Sequence, residues 1–208
     1  MKIKFILFLL LGGFAFVTAE DLFKNALFTK VGSVVISKDE NGDPAFNFSG
    51  YSAVVFPYSI IEGVKAGTIS FRVKLKFDPQ DEIGKSLEYR NQIFFAIVQG
   101  RRRFDISLDP KGLYCGLFDY NEDKEIKDNF KIFPFNWNQD EWVTISMTFG
   151  EKITITFNDR TGELPIKGLF PENYSAAGGG PSIILGMEPR AQSVKSEFIL
   201  EQLKLVAE

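Results

Sequence analysis

Apolar and polar residues alternate along most of this chain with a period of two. The clearest case is the stretch 141–159, EWVTISMTFGEKITITFND, in which two alternating runs flank Gly150. A period of two with one apolar face predicts a half-buried antiparallel hairpin, and Thr and Ile suit a pleated surface. We expect the polar side of this hairpin to face solvent, and it carries Thr144, Ser146, Thr148, Thr154 and Thr156.

Similar short runs recur along the chain, and no helical periodicity is sustained. The run 91–99 is apolar on both faces, which is typical of a central strand, whereas 160–181 is rich in Pro and Gly and predicts an irregular stretch. About twelve short strands predict an all-β, two-sheet antiparallel sandwich. The other predicted strands are Val31–Ser37, Ala45–Ser49, Ser52–Phe56, Gly67–Phe77, Phe104–Leu108, Gly112–Phe118, Phe130–Phe135, Ser182–Gly186 and Glu197–Val206.

The N-terminus has the pattern of an export signal. Lys2 and Lys4 precede the apolar run Phe5–Val17, and short residues follow as far as Ala19. We predict a signal peptide over 1–19, cleaved after Ala19, and one domain over 20–208. Because a bilayer span needs roughly 20 apolar residues, the run is too short to cross a membrane, although a retained anchor is the alternative. The protein is expected in the periplasm, at the cell surface or secreted, with no membrane span after cleavage.

Composition excludes several function classes. The chain is mildly acidic, with 27 Asp and Glu against 24 Lys and Arg, so it is a poor candidate for nucleic-acid binding. It has no histidine, which excludes Ser-His and Cys-His nucleophiles and His-ligated metal sites. Its one cysteine, Cys115, leaves no internal disulfide. Since Cys115 lies in the apolar run GLYCGLF, we expect a buried side chain rather than a reactive thiol.

Several segments resemble the laminin-G-like, or concanavalin A-like, lectin-glucanase jelly roll. They are similar to that family's strands in order: AFNFSGYSAVVFP at 45–57, AGTISFRVKLKF at 66–77, DEWVTISMTFGEKITITFND at 140–159, IILGMEP at 183–189 and EFILEQLKL at 197–205. The chain departs from the pattern at Val143, where the family often has His, and at Asp159, where it has Gly. The glycine of the closing segment is missing too. The resemblance implies a divergent member with a jelly-roll fold. It does not fix a function, because the fold hosts lectins, adhesion modules, hydrolases and lyases.

Carboxylate positions argue against an enzyme. Retaining glycosidases of this fold need two carboxylates on alternate positions of one strand. Asp123 and Glu125 have that spacing but lie in a charged loop, and Asp105 and Asp109 are four residues apart. We therefore predict no catalytic residue and no cofactor. We also predict no metal site, because the acidic segment 39–43, which could offer oxygens to calcium, matches a plain turn better.

The binding candidates are aromatic and basic residues beside predicted loops. Sugar rings stack on exposed aromatic faces, which favours Trp137, in the polar segment FPFNWNQ, and Tyr120. Trp142 is expected in the core. A basic segment consists of Arg101, Arg102 and Arg103. Guanidinium groups can bind the anionic groups of a sulfated or uronic polysaccharide by paired hydrogen bonds. A solvated turn is the alternative interpretation of this segment.

Together these features predict an exported, non-catalytic binding module. Its expected partner is a polysaccharide or an envelope protein, and we expect no nucleic-acid partner. Two alternatives remain open from the sequence: a carbohydrate-active enzyme (glycoside hydrolase) of the same fold, which would depend on Asp105, Asp123 or Glu125, and a structural subunit of an envelope assembly.

Overall fold

A computed structural model of the chain describes residues 21–79, 92–99, 102–119, 130–164, 182–186 and 195–208. These residues form twelve strands and one 3-10 turn, Tyr58–Ile60. The strands are β1 (Thr29–Lys38), β2 (Pro44–Pro57), β3 (Gly67–Leu75), β4 (Ile93–Gln99), β5 (Arg102–Asp109), β6 (Gly112–Asp119), β7 (Phe130–Pro134), β8 (Trp142–Phe149), β9 (Ile153–Phe157), β10 (Arg160–Leu164), β11 (Ser182–Gly186) and β12 (Phe198–Ala207). The strands pair antiparallel, which confirms the predicted all-β sandwich.

The sandwich has two layers that share β2. Neighbouring strands follow the order β10-β9-β8-β3-β12-β2-β11-β4-β5-β6-β7, and β1 pairs with β2. The first half of β2 pairs with β12, and its second half pairs with β11. The chain therefore passes from the first layer, β10 to β12, into the second layer, β11 to β7, within one long strand.

Two predicted boundaries were wrong. The predicted strand pair around Gly50 is a single strand, because Gly50 takes a left-handed φ of 64° that bends β2 without ending it. The beginning of the predicted irregular stretch 160–181 is β10, which pairs with β9 from Arg160 to Leu164. The rest of that stretch, 165–181, and the predicted signal segment lie outside the described residues.

A lysine holds the bend of β2 against the first layer. Lys76 Nζ donates to Asn47 Oδ1 at 3.2 Å, to the Phe48 carbonyl at 2.6 Å and to Ser49 Oγ at 2.5 Å. It also pairs with Glu197 Oε2 at 3.2 Å, and Glu197 Oε1 accepts the Gly50 N–H at 2.9 Å. Because the backbone of a bend loses ladder hydrogen bonds, these side chains supply the missing partners.

The core lies between the two layers, and the alternating pattern of the sequence fills it. In β3 every second residue from Gly67 to Leu75 is buried, and β8 and β9 follow the same rule. The predicted hairpin is confirmed, since β8 pairs with β9 from Ile145–Phe157 to Thr148–Thr154. Aromatic rings connect the layers: Phe198 lies 4.7 Å from Phe48 and 5.2 Å from Phe94, measured between ring centroids.

The strands β11, β4, β5 and β6 of the second layer carry buried residues on both faces, as the sequence predicted for the run 91–99. Ile184, Ala96, Asp105 and Gly116 stand side by side across β11, β4, β5 and β6 on the face away from the core. All four residues are buried, and Asp105 is only 1% exposed. The two layers therefore differ, and the first layer keeps a solvent-facing polar side.

Cys115 lies fully buried in β6, as expected from its apolar run. Burial raises the pKa of its thiol, and the nearby Asp105 carboxylate raises it further. We expect Cys115 in the folded protein to resist an aromatic disulfide reagent at pH 8 and to react fully once the chain is unfolded in guanidinium. Rapid reaction in native buffer would contradict this packing of β6.

Candidate functional site

The outer side of the first layer carries rows of hydroxyl groups, which we call the hydroxyl face. Period-two alternation places these side chains opposite the core on neighbouring strands. One row runs Thr68, Thr148, Thr154 and the next runs Ser70, Ser146, Thr156, Thr161, while Thr144 adjoins them. None of these side chains is buried. The sequence predicted this face for β8 and β9, and the structure extends it to β3 and β10.

Neighbouring hydroxyls on this face meet in pairs. Thr68 Oγ1 and Thr148 Oγ1 are 3.2 Å apart, and Thr156 Oγ1 and Thr161 Oγ1 are 3.1 Å apart. A hydroxyl in such a pair donates one hydrogen bond and keeps acceptor capacity. The hydroxyl face therefore presents hydrogen-bond donors and acceptors to solvent on neighbouring strands. Sugar hydroxyls likewise both donate and accept hydrogen bonds.

One end of the hydroxyl face carries a tryptophan among charges, which we call the Trp142 cluster (Trp142, Arg72, Lys74, Glu201 and Glu40). The Arg72 guanidinium lies 4.6 Å and the Lys74 ammonium 5.0 Å from the indole ring centroid. The expectation that Trp142 lies in the core was wrong. Trp142 is half-buried beside the inward-facing Val143, and it stands opposite Lys74 on β3. Because successive side chains of a strand point to opposite faces, Trp142 faces outward where Val143 faces the core.

A bulge in β12 shapes the same cluster. The register of β12 against β3 shifts between Glu201 and Lys204, and Gln202 has a left-handed φ of 54°. A non-glycine residue in this region costs on the order of 1 kcal/mol, and such strain and such bulges occur often beside functional sites. Glu201 stays opposite Arg72, and its Oε1 lies 3.2 Å from Arg72 Nη2. Glu40 approaches Arg72 from the β1–β2 turn at 3.9 Å.

The charge on this face is predominantly positive near the cluster. Lys204 stands opposite Ser70, so it shares the face with Arg72 and Lys74. Within the described part of the chain, neither Lys74 nor Lys204 forms an ion pair. At the far edge, a hydrogen bond and the charge of Lys152 lower the pKa of the exposed Glu163 carboxyl. Lys74 thus lies at the end that carries Trp142, and Lys204 lies on the same face opposite Ser70.

The structure places Trp137 in the core, so the exposed ring predicted there was wrong. Its indole is 3% exposed, its Nε1–H donates to the Gly112 carbonyl at 3.0 Å, and its ring packs 5.0 Å from that of Phe135. The polar neighbours of Trp137 suggested exposure, but a backbone acceptor satisfies the indole N–H inside the protein. Trp137 therefore offers no ring face to a ligand.

The predicted anion site at 101–103 is only partly described. Arg103 is mostly buried, and its Nη2 lies 2.8 Å from Asp105 Oδ2. Arg102 belongs to β5. Its side chain, together with Arg101 and Tyr120, lies outside what the structure describes. Ligand binding by these residues stays a prediction, and the structure gives Arg103 a carboxylate partner of its own.

The described carboxylates of the enzyme alternative serve local structure. Asp105 is buried beside Arg103, and Asp109 Oδ1 accepts the Lys111 N–H at 2.8 Å in the β5–β6 turn. Asp123 and Glu125 lie outside the described residues.

The acidic loop 39–43 is a turn held by the Asp39 side chain and by backbone hydrogen bonds within the loop. Asp39 Oδ1 accepts the N–H groups of Asn41 and Asp43 at 2.8 and 2.9 Å. Among the described residues no group of three acidic or cysteine side chains could hold a metal ion. In the same ranges no helix is long and apolar enough to cross a membrane.

Comparison with known proteins supports the fold. No family model and no curated protein sequence matches the chain. Solved structures do match, among them the receptor binding domain of botulinum neurotoxin mosaic serotype C/D, with a TM-score of 0.57 at 9% identity over 89% of this chain and 43% of that one. The binding domain of botulinum neurotoxin DC in complex with SialylT matches with a TM-score of 0.55 at 14% identity over 89% and 44%.

A third similar structure is described with botulinum neurotoxin type C, whose cell entry is said to depend on interaction with two ganglioside molecules. It matches with a TM-score of 0.53 at 13% identity, over 89% of this chain and 42% of that one. The chain thus spans less than half the length of these proteins. At such low identities the likeness shows the β-sandwich fold and does not show a ligand.

Proposed function

We propose that the protein is an exported, non-catalytic module that binds carbohydrate through the hydroxyl face and the Trp142 cluster. The observation that carries the proposal is the continuity of these two surfaces: rows of solvent-facing hydroxyls on β3, β8, β9 and β10 end at a half-buried indole flanked by Arg72 and Lys74. Similar folds in toxin domains described with SialylT and gangliosides support a glycan partner. The sequence motifs support membership of the laminin-G-like, or concanavalin A-like, group.

Each part of this surface matches a feature of a sugar. Sugar hydroxyls donate and accept hydrogen bonds, as do the threonine and serine groups of the hydroxyl face. The apolar face of a pyranose ring stacks on indole, and Trp142 provides that ring once the flexible Lys74 side chain moves aside. Arg72 and Lys74 add positive charge beside the ring, and Lys204 adds a positive charge on the same face opposite Ser70. A sugar that carries a carboxylate or sulfate therefore fits this surface better than a neutral one.

A glycan array that includes neutral, sialylated, uronic and sulfated sugars tests the proposal. Binding to at least one glycan class is expected, with acidic glycans preferred. No binding to any glycan, combined with turnover of a polysaccharide, would favour the glycoside hydrolase alternative instead.

The positive charge of the Trp142 cluster leads to a second prediction, which can be tested separately. Lys74→Gln is expected to weaken binding of an acidic glycan about twofold to fivefold, as one exposed charge contact is worth less than about 1 kcal/mol. The loss should be largest at low salt and shrink as salt screens the charge. Isothermal titration at two salt concentrations measures it. Lys111→Gln, in the β5–β6 turn of the other layer, is the control that should leave the affinity unchanged.

Protein recognition is a second candidate function, and the edge strand β1 favours it. Among the described strands β1 pairs only with β2, and it exposes Val35 at 65% and Ile36 at 37%. An edge with apolar side chains can accept a strand from a partner. Capture of a partner protein from envelope extracts, with the capture lost in Val35→Lys, would support this function or that of a structural subunit.

N-terminal sequencing of the mature protein would test export with cleavage after Ala19.

A further inference from the structure

The two sides of the sandwich end in different ways. On one side the edge strands β7 and β10 cover each other, since Arg160 Nη1 donates to the Pro134 carbonyl at 2.6 Å and Lys131 Nζ donates to the Glu163 carbonyl at 3.3 Å. Edge strands protected in this way are poor partners for a further strand. On the other side both layers end at β1, which pairs with β2 and, among the described strands, with no other.

The segment 33–37 of β1 lacks the features that usually prevent an edge strand from pairing. Such features are charged side chains, prolines and bulges, whereas the sequence here is SVVIS. The one register shift of β1 precedes the segment, between Val31 and Ser33. Val35 is exposed on the outer side of the strand and Ile36 on the other. The segment is therefore an open edge with apolar side chains on both faces.

This edge is complementary to itself when two copies pair antiparallel with Val35 opposite Val35. Residues opposite each other in an antiparallel pair lie on the same face. Val34 then stands opposite Ile36, and Ser33 stands opposite Ser37, so apolar residues meet apolar ones and polar residues meet polar ones. Pairing centred on Val34 or on Ile36 would instead place Val35 opposite a serine.

The charges beyond the two ends of the segment favour the same pairing. It brings Lys30 of one copy to the end at which Glu40 of the other copy lies, and the two-fold symmetry repeats this pair. Lys30 is exposed, and within the described ranges it forms no ion pair. The Glu40 side chain is 74% exposed, and its contact with Arg72 is long at 3.9 Å. Opposite charges at both ends fix the register of the two strands.

We propose that the open edge of β1 pairs with the same edge of a second copy of this chain, so that the first layers of two copies form one continuous sheet. This dimer rests on the protein-recognition function of β1, for which it names the partner, and it does not depend on carbohydrate binding. The two-fold axis of an antiparallel pair is perpendicular to the sheet, so the outer sides of both first layers face the same way.

The dimer presents two Trp142 clusters on one surface. A row of side chains crosses the outer side of each first layer through β1, β2, β12, β3 and β8, and it consists of Val35, Asn47, Ile199, Lys74 and Trp142. With four strand spacings in each copy and one at the axis, the two indoles lie roughly 40 Å apart. A glycan-covered surface held at two points is bound more tightly than at one, and this consequence rests on the proposed carbohydrate function.

Sedimentation velocity of the mature protein from about 1 to 500 µM tests the dimer. A contact made by one edge strand lies at the low end of interface sizes, so we expect dimers to form in the micromolar range. Val35→Lys should stay monomeric, because it sets two like charges against each other at the axis. Phe130→Lys is the control and should dimerise, since Phe130 is an exposed apolar residue on β7 of the other layer.

A protein that stays monomeric at every concentration would overturn the proposal. Capture of a different protein from envelope extracts, lost in Val35→Lys, would then assign the edge to that protein. Neither result bears on carbohydrate binding, which the glycan array tests separately.

Charge reversal tests the register. Lys30→Glu and Glu40→Lys should each weaken dimerisation about threefold to tenfold, since each makes the pairs at both ends repulsive. Mixing the two variants should restore dimers, because each end of the mixed dimer then joins an acid to a base. Glu151→Lys, in the exposed β8–β9 turn, is the control and should dimerise like the unsubstituted protein. No weakening in the single variants, or no recovery on mixing, would contradict the pairing of β1 with β1.

Discussion

Replacing Phe198 with alanine is expected to lower the free energy of unfolding by about 3–5 kcal/mol. The ring is fully buried at the beginning of β12 and contacts both Phe48 of β2 and Phe94 of β4, so it joins the two layers. The cavity left by alanine would remove contacts on both sides. The rigid strands around it cannot collapse into the space without losing their register.

Denaturant titration measures this loss through the midpoint, with Leu27→Ala as the matched surface control. Leu27 is 85% exposed, so its truncation should change stability by less than about 0.5 kcal/mol. A loss below about 1 kcal/mol in Phe198→Ala would show that the ring does not connect the layers as described.

Replacing Trp142 with alanine is expected to weaken glycan binding tenfold or more, since an aromatic anchor of a binding surface is often worth about 2 kcal/mol. The indole supplies a large apolar face on the outer side of the first layer. The variant should still fold, because Trp142 is half-buried and the inward-facing residue of that strand end is Val143. Trp142→Phe keeps a ring and should retain part of the affinity.

Phe130→Ala is the control for this variant. Phe130 is 41% exposed on β7, in the second layer, and it stacks on Tyr114 at 5.6 Å. If Trp142→Ala bound the preferred glycan as tightly as the unsubstituted protein, while retaining its circular dichroism spectrum, the indole would have no part in recognition.

Local pattern was sufficient to predict the strands that alternate strictly. The hairpin of β8 and β9 and the long β3 follow from period two alone, since a slip of one residue would turn the buried side chains toward water. The polar side of that hairpin was likewise identified from sequence. Pattern failed at Gly50, because a bend within a paired strand and a break between two strands look alike without knowledge of the partner strands.

The two tryptophans show where the sequence misled. Polar neighbours suggested an exposed Trp137, and apolar neighbours suggested a buried Trp142, but the structure reverses both positions. In a strand, the alternation of positions decides which face a side chain takes, and the polarity of its neighbours in sequence does not. The contacts that complete the Trp142 cluster join β3, β12 and the β1–β2 turn, and such distant pairings follow only from the fold.

The place of the segment 21–28 in the fold was not foreseen for a related reason. The segment 21–28 was predicted only as a short lead-in, because its apolar residues do not alternate with polar ones. Its role depends on the backbone bonds to Leu205, near the other end of the chain. Closure of this kind between distant segments leaves no periodic trace in the sequence.

The central claim is that carbohydrate binds the outer side of the first layer. The most direct measurement is an amide-shift titration of the isotope-labelled protein with the glycan that binds best on the array. We predict that the largest shifts will cluster at 68–74, 142–148, 154–156 and 201–204. Shifts confined to the second layer or to the β1 edge, with these residues unmoved, would contradict the claim.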